Sequence, residues 1–291
     1  MTQSHPDPDS LVAEADWPRD RLDADYTARL TCTAAEFERI IGDYARLSRT
    51  AQALAGARCG LEYDAASGER FDLFGTGPGQ ARPCFVFIHG GYWRALSRDA
   101  SSFMAPMLAA RGIACAVPDY SLAPDARIGE IVRQCRAFVT HLWMNAADLG
   151  IDRTRIVVGG SSAGGHLAAA VASGGWQRAA GLPAQPLAGL LPVSGLFELA
   201  PLAASHVQDW MRFTPDEIAD FSPLRHPPEG SLRATVALAR GETPGFARQS
   251  AAYAGLIGAP LLTVPGRNHF DVVLDLCDPE TALARALLAL F

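Results

Sequence analysis

Residues 155–172, RIVVGGSSAGGHLAAAVA, leave the chain few folding options. A short β-branched run passes, through glycines and serines, straight into an alanine-rich stretch of helix-forming residues. The same rhythm recurs on both sides. CFVFI (84–88) ends in His89-Gly90-Gly91 and is followed by a helical stretch over roughly 98–111, closed by Gly112. ACAVP (114–118) precedes a long helix over 126–147. LAGLLPV (187–193), TVALAR (235–240) and PLLTVP (260–265) are further apolar runs of strand length, and 279–291 closes as a helix. Continuous apolar strands alternating with helices predict an α/β fold, a mostly parallel central sheet with helices on both faces. Crossovers are then right-handed, and a site is expected at the carboxyl ends of the strands.

Upstream, AAEFERIIGDYARL (34–47) spaces Phe37, Ile40, Ile41, Tyr44 and Leu47 as an amphipathic helix does. CGLEYD and ERFDLFG read as two short strands around the turn Ala65-Ala66-Ser67-Gly68. Residues 1–30 read as a polar, proline-bearing arm and 31–291 as one domain, with an irregular cap-like insertion at about 196–230. So long an aromatic and proline-rich connection is unusual unless it serves as a lid or pocket wall.

Bulk properties exclude several classes. The 291 residues are 49% hydrophobic and 19% charged with a net charge of −6 and no Lys/Arg run, which argues against nucleic-acid or anionic-membrane partners. No apolar run approaches the ~18 residues of a spanning helix. The acidic first residues lack the basic start and apolar core of a secretory signal, so a cytoplasmic location is the expectation. The six scattered cysteines form no C-x-x-C pair and read as reduced packing residues. The histidines and acids lack metal-ligand spacing, so no metal is expected.

The chemistry concentrates in three places. Gly160-Ser161-Ser162-Ala163-Gly164 is a G-x-S-x-G run set between strand and helix, a nucleophile elbow that pushes the Ser162 hydroxyl into a pocket beside a helix amino end; the pattern indexes Ser162 and leaves Ser161 a bystander. A serine hydroxyl needs a base. In the order nucleophile, acid, histidine, the base lies late, and His269 is the only histidine after residue 226, just past the last apolar run. Glu242 is the only acidic residue between Ser231 and His269 and begins the loop after 235–240, where it can hold the imidazole tautomer; Asp271 is the rival, two residues from the ring it would orient. Acyl transfer also needs donors for the oxyanion. The glycine-rich turn HGGYW (89–93) offers the amides of Gly91 and Tyr92, and the elbow that of Ala163. His89 reads as a brace for this turn. Trp93 is either core or pocket wall, and Tyr92, Trp210, Met211, Phe213 and Phe270 are candidates to line an aromatic pocket.

With HGGYW, GGSSAGGHLA and GRNHFD together, the sequence resembles the arylformamidase (kynurenine formamidase) branch of the α/β-hydrolases. It is similar, more distantly, to the hormone-sensitive-lipase-type esterases, whose D-Y-x-L-A-P segment is echoed at Asp119–Pro124. The runs LDADYTAR near 22, SGLFELAPL at 194 and FSPL at 221 extend the likeness over most of the chain. The resemblance implies an α/β-hydrolase fold, a triad of Ser162, Glu242 and His269, and an oxyanion hole in the HGGYW turn. It implies hydrolysis of N-formylkynurenine to kynurenine and formate without a cofactor. Many members carry aspartate at the acid position, where this chain has the longer Glu242. Members often form homodimers. A carboxylesterase or amidase acting on other small aryl esters or amides is the alternative, since the triad serves both.

Overall fold

The computed structural model describes residues 8–291. Residues 1–7, with His5 and the start of the arm, lie outside the described residues. Among the described residues nine strands form one sheet: β1 (Arg58–Asp64), β2 (Glu69–Phe74), β3 (Arg82–Ile88), β4 (Ala114–Pro118), β5 (Ile151–Ser161), β6 (Gly189–Val193), β7 (Arg233–Ala234), β8 (Val236–Ala239) and β9 (Leu261–Val264). Their order is β1-β2-β4-β3-β5-β6-β8-β9, with β7 paired to β6. β1 and β2 are antiparallel to their neighbours, and from β4 to β9 every pairing is parallel. The parallel part is apolar throughout because both of its faces are covered. In β3, Cys84, Val86 and Ile88 join one core while Phe85 and Phe87 join the other, the period-two alternation of a strand buried on two sides. Among the described residues no helix is long and apolar enough to cross a membrane. None of the six cysteines is paired, and three of them are buried.

The elements fall close to their expected places, with instructive exceptions. The helical stretch expected over 98–111 is a 3₁₀ turn, Arg98–Ala100, followed by a short helix, Ala105–Ala109. Arg98 is held by Asp72 and Asp119, which ties that segment to the sheet before the helix can begin. The helix expected over 126–147 spans Ile128–Met144, with a separate turn at Ala146–Leu149. The last helix is Ala282–Leu288, capped by Thr281. Helix Pro244–Ile257 gave no periodic signal because much of it is Ala, Gly and Ser; it buries Phe246, Gln249 and Tyr253.

The polar arm is a structural part of the core. Helices Pro8–Ala13 and Arg19–Asp25 bury Leu11 and Leu22 completely, and Tyr26, which caps the second, is also completely buried. Arg248 pairs with both Glu14 and Asp25, and the Thr243 hydroxyl donates to the Asp25 carbonyl. Removing a cation shared by two largely buried carboxylates would cost on the order of 3 kcal/mol, so the arm is firmly docked. The 196–230 insertion contains three short helices, Ala200–Ala203, Gln208–Met211 and Pro215–Phe221. Arg225 pairs with the buried Glu198 beneath them.

Candidate active site

β5 ends at Ser161 and the next helix begins at Ala163, so the turn is made by Ser162 alone. Its backbone has φ 58° and ψ −119°, a conformation L-residues avoid and one that costs about 1–3 kcal/mol. Two bonds hold it there: Ser162 N–H donates to the Val193 carbonyl at 2.9 Å, and its own carbonyl accepts from His166 N–H at 3.1 Å. The turn also needs Gly164. A Cβ at that position would be driven into the backbone carbonyl of Ile88, so only glycine lets the helix approach β3 so closely.

The loops after β6, β8 and β9 meet next to this turn. His269 Nδ1 lies 2.8 Å from Oε2 of Glu242. The other oxygen, Oε1, accepts a hydrogen bond from the Ser194 hydroxyl. Ser194 follows β6 with φ 48°, its N–H tied to the Ala237 carbonyl at 2.7 Å. Sequence reasoning passed over Ser194, and nothing in its SGLF context marks it as a carboxylate partner. The imidazole packs between Phe246 and Phe270, with ring centroids at 4.4 and 5.1 Å, and is 3% exposed. Asp271 is engaged elsewhere: it accepts from the Asn268 N–H at 2.7 Å and faces Arg267 at 3.7 Å. Ser162 and His269 line the same cavity. They form no hydrogen bond with each other, and Nε2 of His269 has no partner among the described residues.

The HGGYW turn forms the opposite wall. Gly91 has φ 95°, Tyr92 51° and Trp93 57°, three successive left-handed residues. At Gly91 a side chain would strike the carbonyl of Ala95. Among the described residues the amides of Gly91, Tyr92 and Ala163 have no acceptor, and all three belong to the turns that border Ser162. His89 braces the turn: Nδ1 lies 2.9 Å from the Gly90 carbonyl and its ring stacks on Tyr120 at 4.2 Å. The Tyr120 hydroxyl donates to the carbonyls of His89 and Gly90 at 3.0 and 3.1 Å. Burial pushes His89 below the ordinary imidazole value, so the brace is neutral. The Tyr92 hydroxyl donates to the carbonyl of Tyr26, clamping the turn to the arm.

The cavity has a volume of about 420 Å³, within the range of small-molecule sites. Trp210, Phe270 and Tyr92 line it. Trp93, Met211 and Phe213 do not, and this corrects the expected pocket. Trp93 is wholly buried with its ring edge-on to His166 and Phe213, which makes it core. The reversed backbone at Trp93 turns successive side chains of the loop to different sides. Two unforeseen segments contribute to the wall: residues 27–29 of the arm, and Phe37, Ile41 and Tyr44 of helix Ala34–Gln52. The spacing of that helix marked these residues as apolar but could not distinguish packing from lining. Among the described residues no cluster of three or more His, Cys, Asp or Glu is arranged to hold a metal ion.

Comparison with known proteins gives a consistent picture. Residues 85–246 match the profile of an alpha/beta hydrolase fold family. A kynurenine formamidase of Salmo salar is 28% identical over 250 residues, 82% of this chain and 83% of the relative. A second, from Danio rerio, is 29% identical over 239 residues, 78% of this chain and 80% of the relative. Among solved structures, a candidate thioesterase from Silicibacter sp. tm1040 superposes with a TM-score of 0.78 at 29% identity, covering 92% of this chain and 98% of that one. An esterase of Pyrobaculum calidifontis shares the fold at a TM-score of 0.71 and 18% identity, over 89% of this chain and 93% of its own.

Proposed function

The chain belongs to the α/β-hydrolase family and is arylformamidase-like within it, and on that premise we propose that it hydrolyses aryl formamides by a serine mechanism, with N-formylkynurenine as substrate. The observation that carries the reading is the buried His269–Glu242 pair beside a serine held in a strained turn, both opening on one largely apolar cavity. The likeness to kynurenine formamidases over most of the chain supports the substrate.

In this mechanism His269 Nε2 takes the proton of Ser162 as Oγ attacks the formyl carbon. The carbonyl electrons move onto oxygen, and the amides of Gly91, Tyr92 and Ala163 donate to that oxyanion. Glu242 stabilises the imidazolium through Nδ1. Collapse of the intermediate breaks the C–N bond, and the aryl amine leaves with the proton held by His269. Water, deprotonated by the same imidazole, attacks the formyl ester. Formate departs and Ser162 recovers its proton. The reaction requires the Ser162 hydroxyl to donate to Nε2 in the substrate complex, where such bonds tighten.

Hydrolysis of other small aryl esters or amides is the second reading, because their transition states develop the same charge. Kinetics with N-formylkynurenine beside a p-nitrophenyl ester, together with formyl, acetyl and butyryl anilides, separates the two. The formamidase reading expects kcat/KM to fall by roughly 10-fold or more from formyl to butyryl, the scale on which added methylenes are discriminated. A preference for butyryl would defeat it.

A further inference from the structure

We propose that Arg94, assisted by Arg29, is the anion anchor of the cavity and pairs with the carboxylate of the leaving group. This inference rests on the hydrolase reading above and concerns the leaving-group side of the same cavity.

The charge of the cavity runs against the charge of the protein. The chain has a net charge of −6, yet two arginines, Arg29 and Arg94, line the cavity and no aspartate or glutamate does. The carboxylates that touch cavity residues from behind are already engaged. Asp23 meets His206 and Arg19, Asp119 meets Arg98, and Glu242 meets His269 and Ser194. Neither arginine has an ion-pair partner among the described residues.

Both arginines are exposed residues whose guanidinium groups rest on aromatic rings. Arg94 lies 3.7 Å over the Trp210 ring, and the Trp210 indole N–H donates to the Tyr92 carbonyl at 3.2 Å. The stack thus hangs on the loop that lines the cavity with Ser162. Arg29 lies 4.2 Å over Phe37, and its Nη1 approaches the Cys32 sulfur at 3.2 Å. A guanidinium resting on an aromatic ring can keep its N–H donors for a planar anion; those of Arg94 have no acceptor among the described residues, whereas Nη1 of Arg29 already meets the sulfur and the carbonyl of Cys32. Bidentate pairing with a carboxylate is the interaction that geometry favours. No lining carboxylate is present to hold an ammonium, so selection here is by negative charge. An amino group on the substrate would contribute little.

The test uses formylkynurenine lacking its amino group, prepared as the free acid and as the neutral primary carboxamide. Release of the aryl amine is followed for the wild type and for Arg94→Met and Arg29→Met, which keep the apolar stem over the ring. The ratio of kcat/KM for the acid to that for the carboxamide is expected to exceed about 10 in the wild type. In Arg94→Met it should fall by about 10-fold or more, mostly through KM, and by less in Arg29→Met. Raising the ionic strength should shrink the wild-type ratio. A wild-type ratio near one, or a ratio unmoved by Arg94→Met, would overturn the anchor while leaving the hydrolase reading intact. Absence of turnover with both compounds, in a wild type that does cleave p-nitrophenyl esters, would instead overturn the formamidase reading on which the anchor depends.

Discussion

Ser194 donates its hydroxyl to the Glu242 oxygen that His269 leaves free. Glu242 is almost wholly buried, with its side chain 1% exposed, and a buried carboxylate with one oxygen unsatisfied would be free to rotate away from the imidazole. Ser194 therefore holds the carboxylate against the imidazole. The longer arm of glutamate, compared with the aspartate common among relatives of this kind, is held at its tip by a second hydrogen bond.

Removing that bond should reduce turnover without changing the fold. Ser194→Ala is expected to lower kcat by about 10-fold with KM nearly unchanged, the scale of a lost buried hydrogen bond to a charged group. Glu242→Gln should lower kcat by roughly 1,000-fold or more, because an amide can neither stabilise the imidazolium nor hold the required tautomer. Steady-state kinetics with circular dichroism as a folding control checks both. Equal kcat for the two variants would contradict the division of roles.

The HGGYW turn makes a separate demand. Gly91 has φ 95° and no room for a Cβ beside the Ala95 carbonyl. Gly91→Ala must displace the turn and with it the amide donors. The expected loss in kcat is about 100-fold, comparable to removal of an oxyanion donor, accompanied by a lower thermal midpoint from the strained alanine. Unaltered kcat would mean that these amides do not face the developing charge.

Acid should destabilise the fold through His166. Burial holds its pKa down to about 4, with Nε2 tied to the Phe221 carbonyl at 2.8 Å. In the unfolded chain an imidazole titrates near ~6.5, so the unfolded state takes up a proton first as pH falls. The contribution is complete above ~6.5 and is lost between there and about 4, up to about 3 kcal/mol in all. His89, also held below its ordinary value by burial, acts in the same direction. Urea unfolding of the wild type and His166→Gln across this range should show their stability difference shrinking as pH falls. A constant difference would remove the titration from the account.

Much of this was legible in the sequence because the signals were local. The strands β3, β4 and β5 are β-branched and aromatic runs bounded by turns, and the elbow is marked by glycines that no other residue can replace. Glu242 and His269 could be picked out by chain order alone. What stayed hidden depends on long-range partners. Leu11, Leu22 and Tyr26 are buried because helices Ala200–Ala203 and Pro244–Ile257 receive the arm, and the second of these is too rich in small residues to show a period. Trp93 and Trp210 have the same residue type and opposite fates. The left-handed backbone at Trp93 sends its ring into the core, whereas Trp210, held by Tyr92 and Arg94, stays in the cavity wall. No spacing rule distinguishes them.

The identity of the nucleophile can be read without a natural substrate, by labelling with a fluorophosphonate and mapping the adduct by peptide mass spectrometry. The adduct is expected on Ser162, with the labelling rate of His269→Ala reduced by about 100-fold or more. An adduct on the neighbouring Ser161, or labelling at the same rate without the imidazole, would contradict it.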